Sequence, residues 1–428
     1  MIKRLIISAY AVYPEIASSE GIVNKNWIDV LEKNGVETKV ISSHKTIHKS
    51  QVTKLSKYLY FIYKYYKANK SSFIGVTYKI LNKFFKRFFG SEKVDSLYQF
   101  LWIKFQRNKL KPNLEISDQV IWSRVLPVFS LLPIPQKENT PLIININDPF
   151  SVKEDGEKLT EGKILTDYKD QTQCWTFPSH RLAMYMAEKY KLDKNRCFVI
   201  PHAMANQNSL YKGGIKNQNN KKLKYIYTGT FYKSAFTEEF NSGLQRFCKT
   251  EAAKEIEFTF ILSQYDDSSI QWLREAIPNV KILFKLSREE VLKITATADC
   301  VLVLDAITHQ DLLKGKFAEA ISFGVPIFGV TYQNSVMDSV IKEYGSLSGY
   351  QEIENDIFNK LEQTYKNLKD ELWLKSFYIK RQEVIYKMSE EYIYQATLDI
   401  SNYAYDRFLW KSGKIEVEPK SPAQYNWP

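Results

Sequence analysis

Two lysines and a glutamate meet the start of a helical pattern in Asp311-Leu312-Leu313-Lys314-Gly315-Lys316-Phe317-Ala318-Glu319-Ala320-Ile321-Ser322-Phe323-Gly324-Val325-Pro326. The run follows the apolar segment Val301-Leu302-Val303-Leu304, which reads as a buried strand. A helix that begins there presents free N–H groups and the positive end of its dipole, a combination that receives a diphosphate. Lys314 and Lys316 add charge at that end, and Glu319, about one turn on, is able to accept hydrogen bonds from ribose hydroxyls. On spacing alone the same residues also read as an amphipathic helix with solvated charges. No cluster with metal-ligand spacing and no cofactor motif competes with this site. Cys174, Cys197, Cys248 and Cys300 are scattered, form no CxxC pair, and read as core thiols of a reduced, cytoplasmic compartment.

The elements that must position these residues alternate between strand and helix. Leu5 to Ala9, a helix near Glu20 to Asn34 with Gly35 at its C-terminal cap, and Val40-Ile41 make a βαβ opening, which favours a parallel sheet. Val120 to Ser123, Leu142 to Ile146, Trp175 to Phe177, a helix from Ser179 to about Tyr190, and Cys197 to Ile200 continue it. A second series runs from Tyr225 through Phe258 to Ile261, Val280 to Phe284 and Val301 to Leu304 to Ile327-Phe328, with helices between. Residues 206–222, polar and rich in Asn and Gln, read as a linker. The expected architecture is α/β, with two doubly wound Rossmann-like domains facing a cleft at the carboxyl ends of their strands. The boundaries are 1–205 for an acceptor-side domain, 223–390 for a donor domain, and 391–428 for a helix and tail packing back on the first domain. The tail after Ser412 reads as loosely ordered.

The helix of the first paragraph resembles the donor-site signature of retaining glycosyltransferases of the GT-B fold, family 4 type: Lys-x-x-Glu-Ala followed by Gly-x-Pro. Other blocks resemble that family in the same order. Pro14-Glu15 with Glu20-Gly21 is similar to its phosphate-approaching loop, Asn147-Asp148-Pro149-Phe150 to its Asp-Pro-aromatic turn, and Val199-Ile200-Pro201-His202 to its Val-Ile-Pro-Asn element. Tyr227-Thr228-Gly229-Thr230 resembles the opening of its donor domain, and Leu286-Ser287-Arg288-Glu289-Glu290 through Cys300 the segment before its donor strand. The resemblance covers 1–43 and 120–345 and implies transfer of a sugar from a nucleotide diphosphate donor to a glycan or lipid-linked acceptor with retention, without a metal, in surface polysaccharide synthesis. It implies that Asp311 positions the donor sugar, Asp148 orients the acceptor, and Glu319, Lys316, Lys314, Lys233, Gly229 and Gly21 serve the donor. Asp311 stands where the family has a glutamate, His202 where it has an asparagine, and Lys233 substitutes for a displaced basic residue.

The net charge of +12 across 428 residues is not spread evenly. Residues 44–112 carry 16 Lys and Arg against Glu92 and Asp95, a net +14, which leaves −2 for the rest. The segment interleaves these cations with aromatics, as in Phe84, Phe85, Phe88 and Phe89 against Lys83, Lys86 and Arg87, the pattern of helices with a basic face. It reads as a helical insertion over about 44–112 that meets an anionic membrane surface, packs the domain's own core, or does both. No apolar run reaches the ~20 residues of a membrane span. Two other function classes stay open on sequence: a non-catalytic GT-B-like protein that binds glycan or nucleotide, and a nucleic-acid binder using charge and stacking, for which no motif is present.

Overall fold

The computed structural model describes residues 2, 4–13, 18–42, 73–88, 97–110, 118–125, 128–135, 140–148, 159–204, 222–231, 237–265 and 267–428. The chain divides into two compact units, Met1–Ile200 with Tyr394–Trp427, and Pro201–Ile393. The linker expected at 206–222 lies outside the described residues except for Lys222, as does the first part of the insertion, 43–72.

In the first unit, strands β1 (Arg4–Ala9), β2 (Glu37–Ile41), β3 (Gln119–Arg124), β4 (Leu142–Asn145), β5 (Thr172–Phe177) and β6 (Cys197–Val199) form one parallel sheet, ordered β2-β1-β3-β4-β5-β6. The inner strands are buried along their whole length, so their apolar residues stand side by side, as in Val120-Ile121-Trp122 and Leu142-Ile143-Ile144, rather than alternating with exposed ones. Helix α1 (Ser19–Lys33) starts where Ser18 caps it by accepting from the Gly21 N–H at 3.0 Å, and it ends just before Gly35, whose φ of +81° a side chain would strain. Trp27 of α1 meets Trp122 of β3 at 5.1 Å between ring centroids, which fixes the helix on the sheet.

Helices α2 (Phe73–Phe88) and α3 (Leu97–Leu110) lie within the basic insertion. The large apolar side chains of these two helices divide between two surroundings. Tyr78, Phe85, Tyr98 and Trp102 are buried, with Trp102 packed on Tyr10 and Phe129, while Val76, Ile80, Leu81, Phe84 and Phe100 face outward. Helices α4 (Leu159–Tyr168) and α5 (His180–Tyr190) complete the layers of this unit.

The second unit repeats the plan with β7 (Leu223–Thr230), β8 (Ile256–Gln264), β9 (Lys281–Phe284), β10 (Cys300–Leu304), β11 (Ile327–Thr331) and β12 (Leu347–Tyr350), all parallel, ordered β12-β11-β10-β7-β8-β9. Between them run α6 (Glu238–Cys248), α7 (Asp267–Ala276), α8 (Arg288–Thr295), α9 (Gly315–Ser322) and α10 (Val336–Glu343). An aromatic core of Tyr225, Phe247, Phe258, Phe260 and Phe328 fills one face. Helices α11 (Asp356–Lys369), α12 (Glu371–Lys380) and α13 (Gln382–Lys387) follow, and α14 (Glu390–Lys411) carries the chain back into the first unit. There Thr397 accepts from Trp27 Nε1 at 3.0 Å and Asn402 Oδ1 accepts the Ile2 N–H at 2.9 Å.

The tail departs from its expected loose order. β6 is the edge of its sheet, and an edge strand has backbone groups that need partners. The Val199 N–H donates to the Tyr425 carbonyl at 2.8 Å, Ser421 Oγ donates to the Asn195 carbonyl at 3.1 Å, and the buried Tyr425 hydroxyl donates to Asp399. Composition did not signal the order of this tail because one tyrosine supplies most of its contacts.

Candidate functional site

The chemistry of the second unit gathers at the carboxyl end of β10. That strand is buried and apolar up to Leu304, and Asp305 follows at once with none of its surface exposed. A buried carboxylate needs partners. Asp305 Oδ1 accepts the Ala306 N–H at 2.9 Å and lies 2.8 Å from Lys314 Nζ, which also donates to the Leu304 carbonyl at 3.1 Å. Its other oxygen is sealed with no partner among the described residues. The pair closes the connection from β10 to α9, and buried Leu312 and Leu313 anchor the same stretch. Asp311 lies half-buried in this connection. Lys314 was expected to face a diphosphate, but here its ammonium is committed to Asp305 and a strand carbonyl.

Lys314 is also the N-cap residue of α9, extended at φ −72° and ψ 141°, and no side chain caps the helix. The Phe317 N–H turns back to the Lys314 carbonyl at 2.9 Å, which leaves the Gly315 and Lys316 N–H groups for a ligand or water. Lys316 and Glu319 sit on this helix three residues apart. Glu319, with 7% of its side chain exposed, places Oε2 3.4 Å from Lys316 Nζ and 3.4 Å from Arg288 Nη1. Arg288 comes from the first turn of α8, which begins there because Ser287 and Glu290 form a reciprocal capping box. The result is a carboxylate held between two cations beside an uncapped helix end. Arg288 was not singled out from the sequence, although Ser287-x-x-Glu290 marks the helix that carries it. Asp305 was missed as well. Its signal is a carboxylate placed directly after an uninterrupted apolar strand.

His309, half-buried near this pair, is held below its ordinary 6.5, first by burial and then by the neighbouring Lys314 ammonium. Gly229 stands at the carboxyl end of β7 with φ +150°, and a Cβ there would approach the Tyr227 hydroxyl to 3.3 Å. Lys233 lies outside the described residues, as do Pro14, Glu15, Pro149 and Phe150.

In the first unit the carboxyl ends of β1, β3 and β4 carry a second polar group. Gly21, buried in the first turn of α1, donates to Ser18 Oγ, and its carbonyl accepts the Tyr13 N–H at 3.0 Å, which ties the β1–α1 connection to the helix. Asn147 donates through Nδ2 to both oxygens of Glu20, each at 2.9 Å, and Asp148 follows it half-buried. Arg124, the last residue of β3, is 5% exposed, donates from Nε to Asn24 Oδ1 at 2.6 Å, and rests 5.1 Å from the Trp27 ring. Burial pulls this guanidinium down to about 10, with the Glu20 carboxylate opposing. It remains charged at neutral pH.

No family model matches the sequence, and no curated protein matches it either. The fold does match solved structures. The trehalose-6-phosphate structure from E. coli bound with UDP-2-fluoro glucose is 14% identical, with a TM-score of 0.59 over 93% of this chain and 99% of that one. The N-terminal domain of Candida albicans trehalose-6-phosphate phosphatase is 12% identical, with a TM-score of 0.63 over 94% and 99%. Anabaena HepE in complex with UDP and glucose is 10% identical, with a TM-score of 0.54 over 93% and 99%. Two parallel α/β sheets in this arrangement of strands are the two-domain GT-B fold.

Proposed function

We propose that this chain is a glycosyltransferase that moves a sugar from a nucleotide diphosphate donor, bound by the unit Pro201–Ile393, to an acceptor bound by the unit containing Met1–Ile200. The observation that carries the reading is the uncapped end of α9 with Lys316 beside it and Glu319 held between Lys316 and Arg288. The departing diphosphate gains negative charge as the glycosidic bond breaks. Helix N–H groups and Lys316, whose side chain is 40% exposed and able to reach out, stabilise that charge without a metal ion. Glu319 is fixed by its two cations and takes the ribose hydroxyls. Asp311 positions the donor sugar, Gly229 and Gly21 allow close backbone approach, Lys233 adds a further cation, and Asp148 orients the acceptor. Lys314 serves the donor by holding, through Asp305, the connection that carries Asp311. Two of the solved structures with this fold carry UDP or a UDP sugar, which supports a nucleotide-linked donor. The resemblance of the donor helix to retaining enzymes supports retention and a hexosyl or related sugar, in polysaccharide synthesis.

Helix α2 supports an acceptor at a membrane surface. Val76, Ile80, Leu81 and Phe84 lie exposed on it alongside exposed Lys79, Lys83, Lys86 and Arg87. Among the described residues no helix is long and apolar enough to cross a membrane. In this reading the protein works in the cytoplasm, peripheral to the inner membrane face, where its four free cysteines stay reduced.

A panel of nucleotide sugars, scored by released nucleotide and by transfer to sugar and lipid-linked acceptors, tests the reading. Glu319→Ala should lower turnover by at least about 100-fold while leaving the circular dichroism unchanged. Full activity of that variant overturns the site assignment. Donor binding with neither transfer nor hydrolysis across the panel overturns the enzyme and leaves a nucleotide-binding protein.

A further inference from the structure

We propose that the crevice at the carboxyl ends of β1 and β3 is a binding site for an oxyanion on the acceptor, a phosphate or a carboxylate, with Arg124 as its cationic partner. The inference rests on the reading that the first unit holds the acceptor. Its place in the sheet is the first argument. In the order β2-β1-β3 the chain leaves β1 to one side and later returns on the other, so β1 and β3 flank the switch point of the sheet, where open α/β sheets bind ligands. Ala9 and Arg124 are register partners at the last rung of that pair.

The second argument is electrostatic. Burying a cation away from water is costly unless a counter-charge meets it. Among the described residues no carboxylate lies within ion-pair distance of Arg124; its neighbours are a neutral amide and an aromatic ring. Only Nε is committed, and Asn24 is itself held by donating to the Ala11 carbonyl at 2.7 Å. The two Nη nitrogens make no hydrogen bond among the described residues, and neither is a sealed polar atom. They are free to meet a ligand, and a guanidinium presents them in the geometry that suits an oxyanion.

The third argument is what stands beside the cation. Asn147 grips both oxygens of Glu20, so that half-buried carboxylate is oriented as a hydrogen-bond acceptor. A cation with an oriented carboxylate nearby selects a ligand that bears an anionic group and hydroxyls together. The ligand class is therefore a sugar carrying a phosphate or a carboxylate, rather than a neutral sugar.

Calorimetry on the full chain in saturating UDP, which fills the donor site, tests the proposal with four probes: inorganic phosphate, glucose 1-phosphate, glucuronate and glucose. The three anions should bind at least about tenfold more tightly than glucose, and whichever sugar anion binds more tightly identifies the group that is read. Arg124→Gln should weaken phosphate about tenfold or more without changing the affinity for UDP. Glu20→Gln removes a like charge from the mouth and should tighten phosphate severalfold, an outcome that a poorly folded Arg124 variant does not obscure. Anions no better than glucose, unchanged phosphate binding in Arg124→Gln, a parallel loss of UDP binding, or weaker phosphate binding in Glu20→Gln each overturns the proposal. If the parent chain does not bind UDP, the donor assignment fails separately, and the phosphate comparison between Arg124→Gln and the parent still decides this one.

Discussion

Asp305 and Lys314 show how a single buried charge organises a loop. The aspartate is sealed from water while the lysine keeps 25% of its side chain exposed, so removing the lysine strands a carboxylate in the interior. Breaking a fully buried pair from one side costs about 3–5 kcal/mol, and the partial exposure of the lysine lowers the expectation for Lys314→Met to about 2–3 kcal/mol. Urea unfolding checks this, and the double variant Asp305→Asn with Lys314→Met should be less destabilised than Lys314→Met alone. His309 reports on the same pair. Its imidazole is held below 6.5 by burial and then by Lys314, so as pH falls the unfolded chain takes up this proton before the folded one. The contribution to stability is therefore intact above pH 6.5 and is lost progressively below it. Histidine titration by NMR should place His309 below 6.5, and Lys314→Met should move it upward; an unmoved value would remove the lysine as a cause.

At the scale of elements, α2 presents two faces that a plain surface helix lacks. Gly75, Tyr78 and Phe85 make one buried stripe, and Val76, Ile80 and Phe84 make a second apolar stripe exposed to solvent, bordered by Lys79, Lys83 and Arg87. A second apolar stripe next to cations is what an anionic bilayer surface accepts. Replacing Ile80 and Phe84 together by serine should remove most flotation with anionic liposomes, by about tenfold or more in partitioning, since each buried side chain contributes roughly 1.5–3 kcal/mol. Circular dichroism and transfer to a soluble acceptor should not change. Flotation equal to that of the parent chain would assign the exposed stripe to something other than lipid. Helix α9 behaves differently. Its inner face, Phe317, Ala320 and Ile321, is core, and no side chain caps the helix end on which the proposed donor site rests.

For the whole molecule, the edge of the first sheet is completed by chain from far away in sequence. The tail reaches β6 more than 200 residues after that strand, and Tyr425→Ala should lower the unfolding free energy by about 2–4 kcal/mol through lost burial and the lost bond to Asp399. Thermal unfolding measures this, and an unchanged midpoint would show that the tail adds nothing. Much of this architecture was legible beforehand. Parallel strands buried on both faces are written as apolar runs, so Leu5 to Ala9 and Val301 to Leu304 announced themselves, and Gly35 marked the end of α1. The Lys316–Glu319 spacing and the helix start were likewise local properties that one turn of sequence contains. Arg288 beside Glu319, Lys314 on Asp305, Arg124 without an ion pair among the described residues, and the division of the basic segment's aromatics between core and surface were not legible. Each depends on which strand ends and helix turns converge at one edge of a sheet. Charges interact through space over a few ångströms, and only the folded chain decides which ones come that close.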